Sequence, residues 1–129
     1  MKTQMFVMCS LLVIVAIALS ACGGGAAQAP AANQSKGDPT KGKTVFTSTC
    51  SACHGPDAKG LPGLGKDMTT STFVKGMTDD QFIDFLKKGR SASDPANTTK
   101  VDMPSKGGNP ALTDQDLYNV ISFIRTVSK

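Results

Sequence analysis

At 129 residues, with 40% hydrophobic and 19% charged positions, the chain has room for one folded domain and not two. Its formal charge of +4 comes from 14 Lys+Arg against 10 acidic residues, every one an aspartate. With no basic run interleaved with aromatics, that balance gives no support to nucleic-acid binding.

Lys2 and the apolar run from Met5 to Leu19 have the layout of a secretory signal, and the run is short of the roughly 20 apolar residues of a membrane span. The stretch "LSAC" at Leu19–Cys22 resembles a bacterial lipobox. That resemblance implies cleavage before Cys22, a diacylglycerol on its thiol, and a domain outside the cytoplasm, anchored to a bacterial membrane. Residues 1–21 are then the signal peptide. Removal of Lys2 leaves 13 of the 14 Lys+Arg, formally +3. Residues 22–37 form the lipid-anchored linker, because "GGGAAQAPAANQSK" has no aliphatic side chain larger than alanine. As a flexible coil it reaches ~20 Å, long enough for the domain to swivel over a surface.

Residues 38–129 must fold with one Tyr and no Trp. So small a core is marginal without a staple, a metal or a large apolar guest. Three helices are expected and no convincing strand, which makes the domain all-α. The first opens at "DPTKGKTVF", with Asp38 as N-cap and Pro39 in the first turn, and runs into Cys50. Gly42 costs ~1 kcal/mol there against alanine, which is explained if a second helix approaches closely. The second opens at Thr78, capped by Thr78 and Gln81, stapled by Met77 and Phe82, striped by Phe82, Phe85 and Leu86, and stopped at Gly89. Thr113 caps the third, where Leu112 can staple to Leu117 and Leu117, Val120, Ile121, Phe123, Ile124 and Val127 share one face. Gly- and Pro-rich loops fill 55–71 and 91–110.

With Cys9 in the signal and Cys22 at the lipid site, Cys50 and Cys53 remain for chemistry. They stand in "CSACHG" beside His54, the one histidine. A structural zinc site wants four protein ligands, and no second Cys/His cluster exists. A thioredoxin-like redox pair belongs at a helix start in a βαβ unit, and here it follows the end of a helix with no strand nearby. Covalent haem fits best, because two thiols at this spacing can add across the vinyl groups of one porphyrin while the next imidazole reaches the iron. A second histidine ligand is not available in the chain. Met68, Met77 and Met103 are the methionines of the domain, and Met77 already has a structural place in the staple. Met103 is the expected distal ligand, since Pro104 restricts its backbone toward extended conformations and Gly107 and Gly108 let the chain turn away; Met68 is the alternative. Two further motifs are decoys. "GLPGLGKD" lacks the Ser/Thr of a phosphate loop and the strand before it, and "NTT" at Asn97 is a chance glycosylation triplet.

"KGKTVFTSTCSACHG", "LPGL" at Leu61–Leu64, "DMPSKGG" and "LTDQDLYNVISFIRTV" together resemble the class I cytochromes c of the bacterial monohaem type, from Asp38 onward. The resemblance implies helices around one covalent haem c per chain, with the N- and C-terminal helices crossing so that Gly42 and Phe46 meet Phe123. It also implies that the Pro62 carbonyl accepts a hydrogen bond from the other nitrogen of His54. The course of the 91–102 loop is left open by it. The expected function is a membrane-tethered single-electron carrier with His54 and Met103 on the iron, not an enzyme. Its expected partners are redox proteins such as a quinol-oxidising complex, a dehydrogenase or a terminal oxidase, in a respiratory or photosynthetic chain. The haem subunit of an exported dehydrogenase is the alternative, and a haem-based ligand sensor a further one. Lys59, Lys66, Lys100 and Lys106, in loops around the expected haem edge, could orient an acidic partner.

Overall fold

A computed structural model describes residues 36–129. The expectations for the signal peptide at 1–21, for lipid on Cys22 and for nearly all of the 22–37 linker lie outside the described residues.

Helix α1 spans Pro39–Val45, and Asp38 caps it by accepting hydrogen bonds from the amides of Thr40 and Lys41. The helical path continues through a π turn at Phe46–Cys50 into α2, Ser51–His54. The C-x-x-C-H motif therefore lies within a helical run and not after its end. A π turn adds one residue to the turn and rotates the next segment about the helix axis, a device that recurs at functional sites.

Helix α3, Thr72–Gly76, is a short turn capped by Ser71 that the sequence pattern did not indicate. Helix α4 covers Asp79–Lys88 with the Thr78/Gln81 capping box formed in both directions. A 3-10 turn at Ser105–Gly108 precedes α5, Asp114–Val127, which opens on a second capping box between Thr113 and Asp116. No strand forms among the described residues, only isolated bridges at Leu61–Gly65 and Arg90–Met103. The domain is all-α, as the patterning required.

Packing of α1 on α5 organises the core. A Cβ built on Gly42 would collide with the backbone carbonyl of Asn119 and come within 3.0 Å of the Phe123 Cβ. Only glycine allows this crossing, and its poor helix propensity is the price of close approach. The Phe46 and Phe123 rings meet beside it with centroids 5.2 Å apart. Side-chain bonds reinforce the seam: the Asp38 amide donates to Asn119 Oδ1 at 2.8 Å and Ser122 Oγ donates to the Gly37 carbonyl at 2.8 Å.

Leu117, Val120, Ile121, Phe123 and Ile124 are buried along α5, and Val127 packs against them at the end of the helix. On α4 the buried positions are Phe82, Ile83 and Leu86, while Phe85 is only partly covered because it borders the cavity that holds the cysteine motif. Arg125 ties α5 to the α3–α4 junction. Its guanidinium donates to Asp79 at 3.1 Å and to the carbonyls of Val74 and Met77 at 2.7 and 2.6 Å.

Candidate haem site

The helical run that carries Cys50, Cys53 and His54 forms one wall of a cavity of about 670 Å³. Leu86, Leu117, Val120 and Ile124 line it from α4 and α5, and Met68 and Met103 reach it from the two loops. A single helical turn brings the two thiols and the imidazole to one surface. The apolar lining from the core side suits a flat hydrophobic guest, and polar side chains such as Arg90, Asn97 and Asp102 line the cavity from the loops.

His54 is held by the loop after it. That loop folds back on the motif, with the amides of Gly60 and Leu61 donating to the carbonyls of His54 and Cys53 at 2.8 and 3.1 Å. The close return needs small residues: a Cβ on Gly65 would collide with the Cys53 carbonyl and lie 2.9 Å from His54 Nδ1. Nδ1 is 3.0 Å from the Lys66 carbonyl oxygen. A carbonyl only accepts, so Nδ1 carries the proton and Nε2 keeps its lone pair for a metal. Burial lowers the imidazole pKa from its ordinary value, and the Lys66 carbonyl opposes that shift.

This pairing corrects the assignment of the acceptor to Pro62. The Leu61–Gly65 bridge closes a tight turn that leaves Pro62 exposed and outside the cavity lining, so the carbonyl delivered to the ring comes four residues later.

Burial, and to a lesser degree the neighbouring Cys53, pushes the Cys50 thiol up to about 11. Among the described residues no group of three or more His, Cys, Asp or Glu side chains is placed to hold a metal ion. The donor set fits haem: paired thiols for covalent attachment, a neutral imidazole for iron, and thioethers lining the same cavity.

Met103 is fixed by its backbone. It exchanges two hydrogen bonds of 2.8 Å with Arg90, one in each direction. Gly89 makes this possible at φ +71°, where a Cβ would collide with the Met103 carbonyl. Met68, buried in the core, reaches the cavity as well, whereas Met77 packs against the core outside it and accepts from Arg125.

The 91–102 loop is ordered by Asn97. Its side-chain amide donates to the carbonyls of Ser91 and Val101 at 3.0 and 2.7 Å. Its Oδ1 accepts from the amides of Thr99 and Lys100 and the Thr99 hydroxyl. The triplet dismissed as a glycosylation decoy is thus the hub of the loop.

Among the loop lysines, Lys66 and Lys106 line the cavity, but Lys106 donates to the carbonyl of Leu112 at 2.7 Å. Lys59 stands with Pro62 at a shallower outer cleft, 3.5 Å from Asp57, and Lys100 borders neither.

Arg90, which the sequence did not single out, lines the main cavity too. Its guanidinium lies 4.6 Å from the centroid of Phe73 and 4.9 Å from that of Phe85. Nothing in "KKGR" separates it from the lysines that complement the helix dipole.

Comparison with known proteins agrees with this geometry. The family model described as cytochrome c matches residues 39–128. The chain is similar to cytochrome c-555 of Chlorobaculum thiosulfatiphilum, 31% identical over 93 residues that cover 71% of this chain and 99% of that protein. Cytochrome c-555 of Chlorobaculum tepidum is 30% identical over 106 residues, 81% of this chain and 91% of the relative. The FixP subunit of the cbb3-type cytochrome c oxidase of Bradyrhizobium diazoefficiens is 33% identical over 91 residues, 68% of this chain but only 30% of that subunit. No solved structure matches the chain.

Proposed function

The chain belongs to the cytochrome c family of electron carriers with covalently bound haem c, and from that premise we propose that it is a membrane-tethered single-electron carrier and not an enzyme. Cys50 and Cys53 fit the covalent attachment site. His54 and Met103 are the two axial ligands in this reading, and lipid on Cys22 holds the domain outside the cytoplasm at a bacterial membrane. When bound, the haem supplies a one-electron iron couple.

The observation that carries the reading is the meeting of one protonated-at-Nδ1 imidazole, two thiols and a backbone-fixed methionine on one apolar cavity. Lys66 orients the imidazole through its carbonyl, while Gly89 and Arg90 hold the Met103 backbone. A thioether paired with an imidazole raises the reduction potential, and burial adds to it. With both axial positions filled by protein, no position remains for a substrate. Similarity to the FixP subunit favours a terminal oxidase among the redox partners.

Carbon monoxide titration of the reduced holoprotein tests this, with the visible spectrum as readout. The spectrum should stay unchanged in the wild type and in Met68→Ala, and should shift readily in Met103→Ala. Ready binding by the wild type would mean an open or labile position and would replace the carrier by a ligand-binding protein.

A further inference from the structure

Building on the reading of Met103 as a ligand, we propose that Lys106 is a positioning residue for its thioether. The Lys106 ammonium fastens the turn behind Met103 to the approach of α5, and so keeps the sulfur in the cavity.

Lys106 carries backbone strain. It has φ 52° and ψ 29°, the left-handed region for a residue with a Cβ, and Gly107 and Gly108 continue the left-handed path at φ 67° and 87°. Such strain persists only where surrounding contacts over-determine the conformation. Glycine adopts it without steric cost and asparagine with little, so the backbone alone does not call for a lysine.

The side chain supplies the contacts. Its Nζ donates to the Leu112 carbonyl at 2.7 Å and lies 3.3 Å from that of Pro110. Leu112 stands directly before Thr113, the N-cap of α5, so one ammonium joins the turn to the helix whose Leu117, Val120 and Ile124 line the cavity. On its other side the turn presses on the attachment run. A Cβ on Gly107 would lie 2.9 Å from Thr49 Cγ2 and 3.7 Å from Cys50 Sγ.

Met103, Pro104 and Ser105 lead into this turn. Arg90 holds the Met103 backbone, and Ser105 Oγ donates to the Lys87 carbonyl. Both anchors lie at the C-terminal end of α4, and by themselves they leave the loop free to hinge about that end. The backbone bonds from Gly107 to Pro104 and from Asn109 to Lys106 stay within the turn. Lys106 provides the anchor on the α5 side, and with it the loop cannot swing away from the cavity.

The test is the rate at which carbon monoxide combines with the reduced, haem-loaded protein, because the gas enters only when the thioether has left. Lys106→Leu keeps the Cβ and loses the donors, whereas Lys106→Gly relieves the strain and loses them too. Both should combine about tenfold or more faster than the wild type, the effect of losing a charged hydrogen bond on a local opening equilibrium. Gly42→Ala, which strains the α1–α5 crossing, controls for lost stability and should combine as slowly as the wild type well below its Tm. In the wild type with nitrogen-15 in its lysines, the Lys106 ammonium should show dipolar contact with protons of Leu112.

A wild-type rate in either Lys106 variant, alongside ready binding by Met103→Ala, overturns the positioning role and leaves the ligand reading standing. An equal gain in Gly42→Ala overturns it too, since lost stability would then suffice. A wild-type ammonium without contact to Leu112 does the same, and decides the matter if neither variant matures. Binding by Met103→Ala that is no faster than by the wild type overturns the ligand reading and this one with it.

Discussion

Replacing Gly42 with alanine adds one methyl group at the point where α1 and α5 cross. The new Cβ would collide with the carbonyl of Asn119, which is backbone inside a helix and cannot swing aside as a side chain would. Relief requires the helices to separate, and the ring contact between Phe46 and Phe123 at 5.2 Å loosens with them. Overpacking costs ~1–3 kcal/mol, and a backbone collision belongs at the upper end of that range. The aromatic pair puts a further ~0.5–1.5 kcal/mol at risk. Against both stands the ~1 kcal/mol by which alanine favours an isolated helix over glycine. The expected net loss is about 2–3 kcal/mol, which for a domain of this size lowers Tm by roughly 10–20 °C. Thermal unfolding of the holoprotein, monitored by far-ultraviolet circular dichroism, measures it. A variant as stable as the wild type, or more stable, would refute the close-crossing argument, because only the propensity term would then have been felt.

Two further outcomes concern side chains that join distant segments. Arg125→Met should remove the donors to Asp79, Val74 and Met77 and leave the buried Asp79 carboxylate without its cation, at a cost of ~3–5 kcal/mol read from the urea midpoint of the holoprotein. Asn97→Ala should release the 91–102 loop, a local loss of ~1–3 kcal/mol, with hydrogen-exchange protection falling at Thr99 and Lys100 and holding in α5. Equal loss of protection in α5 would show that Asn97 stabilises more than its loop.

What the sequence made legible was what is local or periodic. Capping boxes sit within four consecutive residues, so Thr78/Gln81 could be read directly, and the apolar face of α5 announces itself by its spacing. An interior glycine in a helix implied a close neighbour, and Asn119 and Phe123 are that neighbour. The attachment motif is contiguous and needed no tertiary information. The parts that escaped depend on the path of loops. Which carbonyl faces His54 is decided by a turn between Leu61 and Gly65, and a backbone oxygen has no residue-type signature, so Pro62 was assigned where Lys66 serves. Helix α3 has five residues, too few to show a period. The π turn shifts register by a residue without altering composition. Arg90 and Asn97 act through partners at the far side of a loop, so their neighbours in sequence say little about them.

The seam between α1 and α5 also sets an order of events during folding. Its side-chain bonds join Asp38 to Asn119 and Gly37 to Ser122, separations of 81 and 85 residues. Contacts so distant in sequence close late, because a long loop must be brought together before they can form. A chain in which that seam is still open already carries Cys50, Cys53 and His54 on one helical run, yet lacks Leu117, Val120 and Ile124 from the cavity wall. Cys50 and Cys53 therefore stay open on that side until the last helix docks and completes the cavity wall.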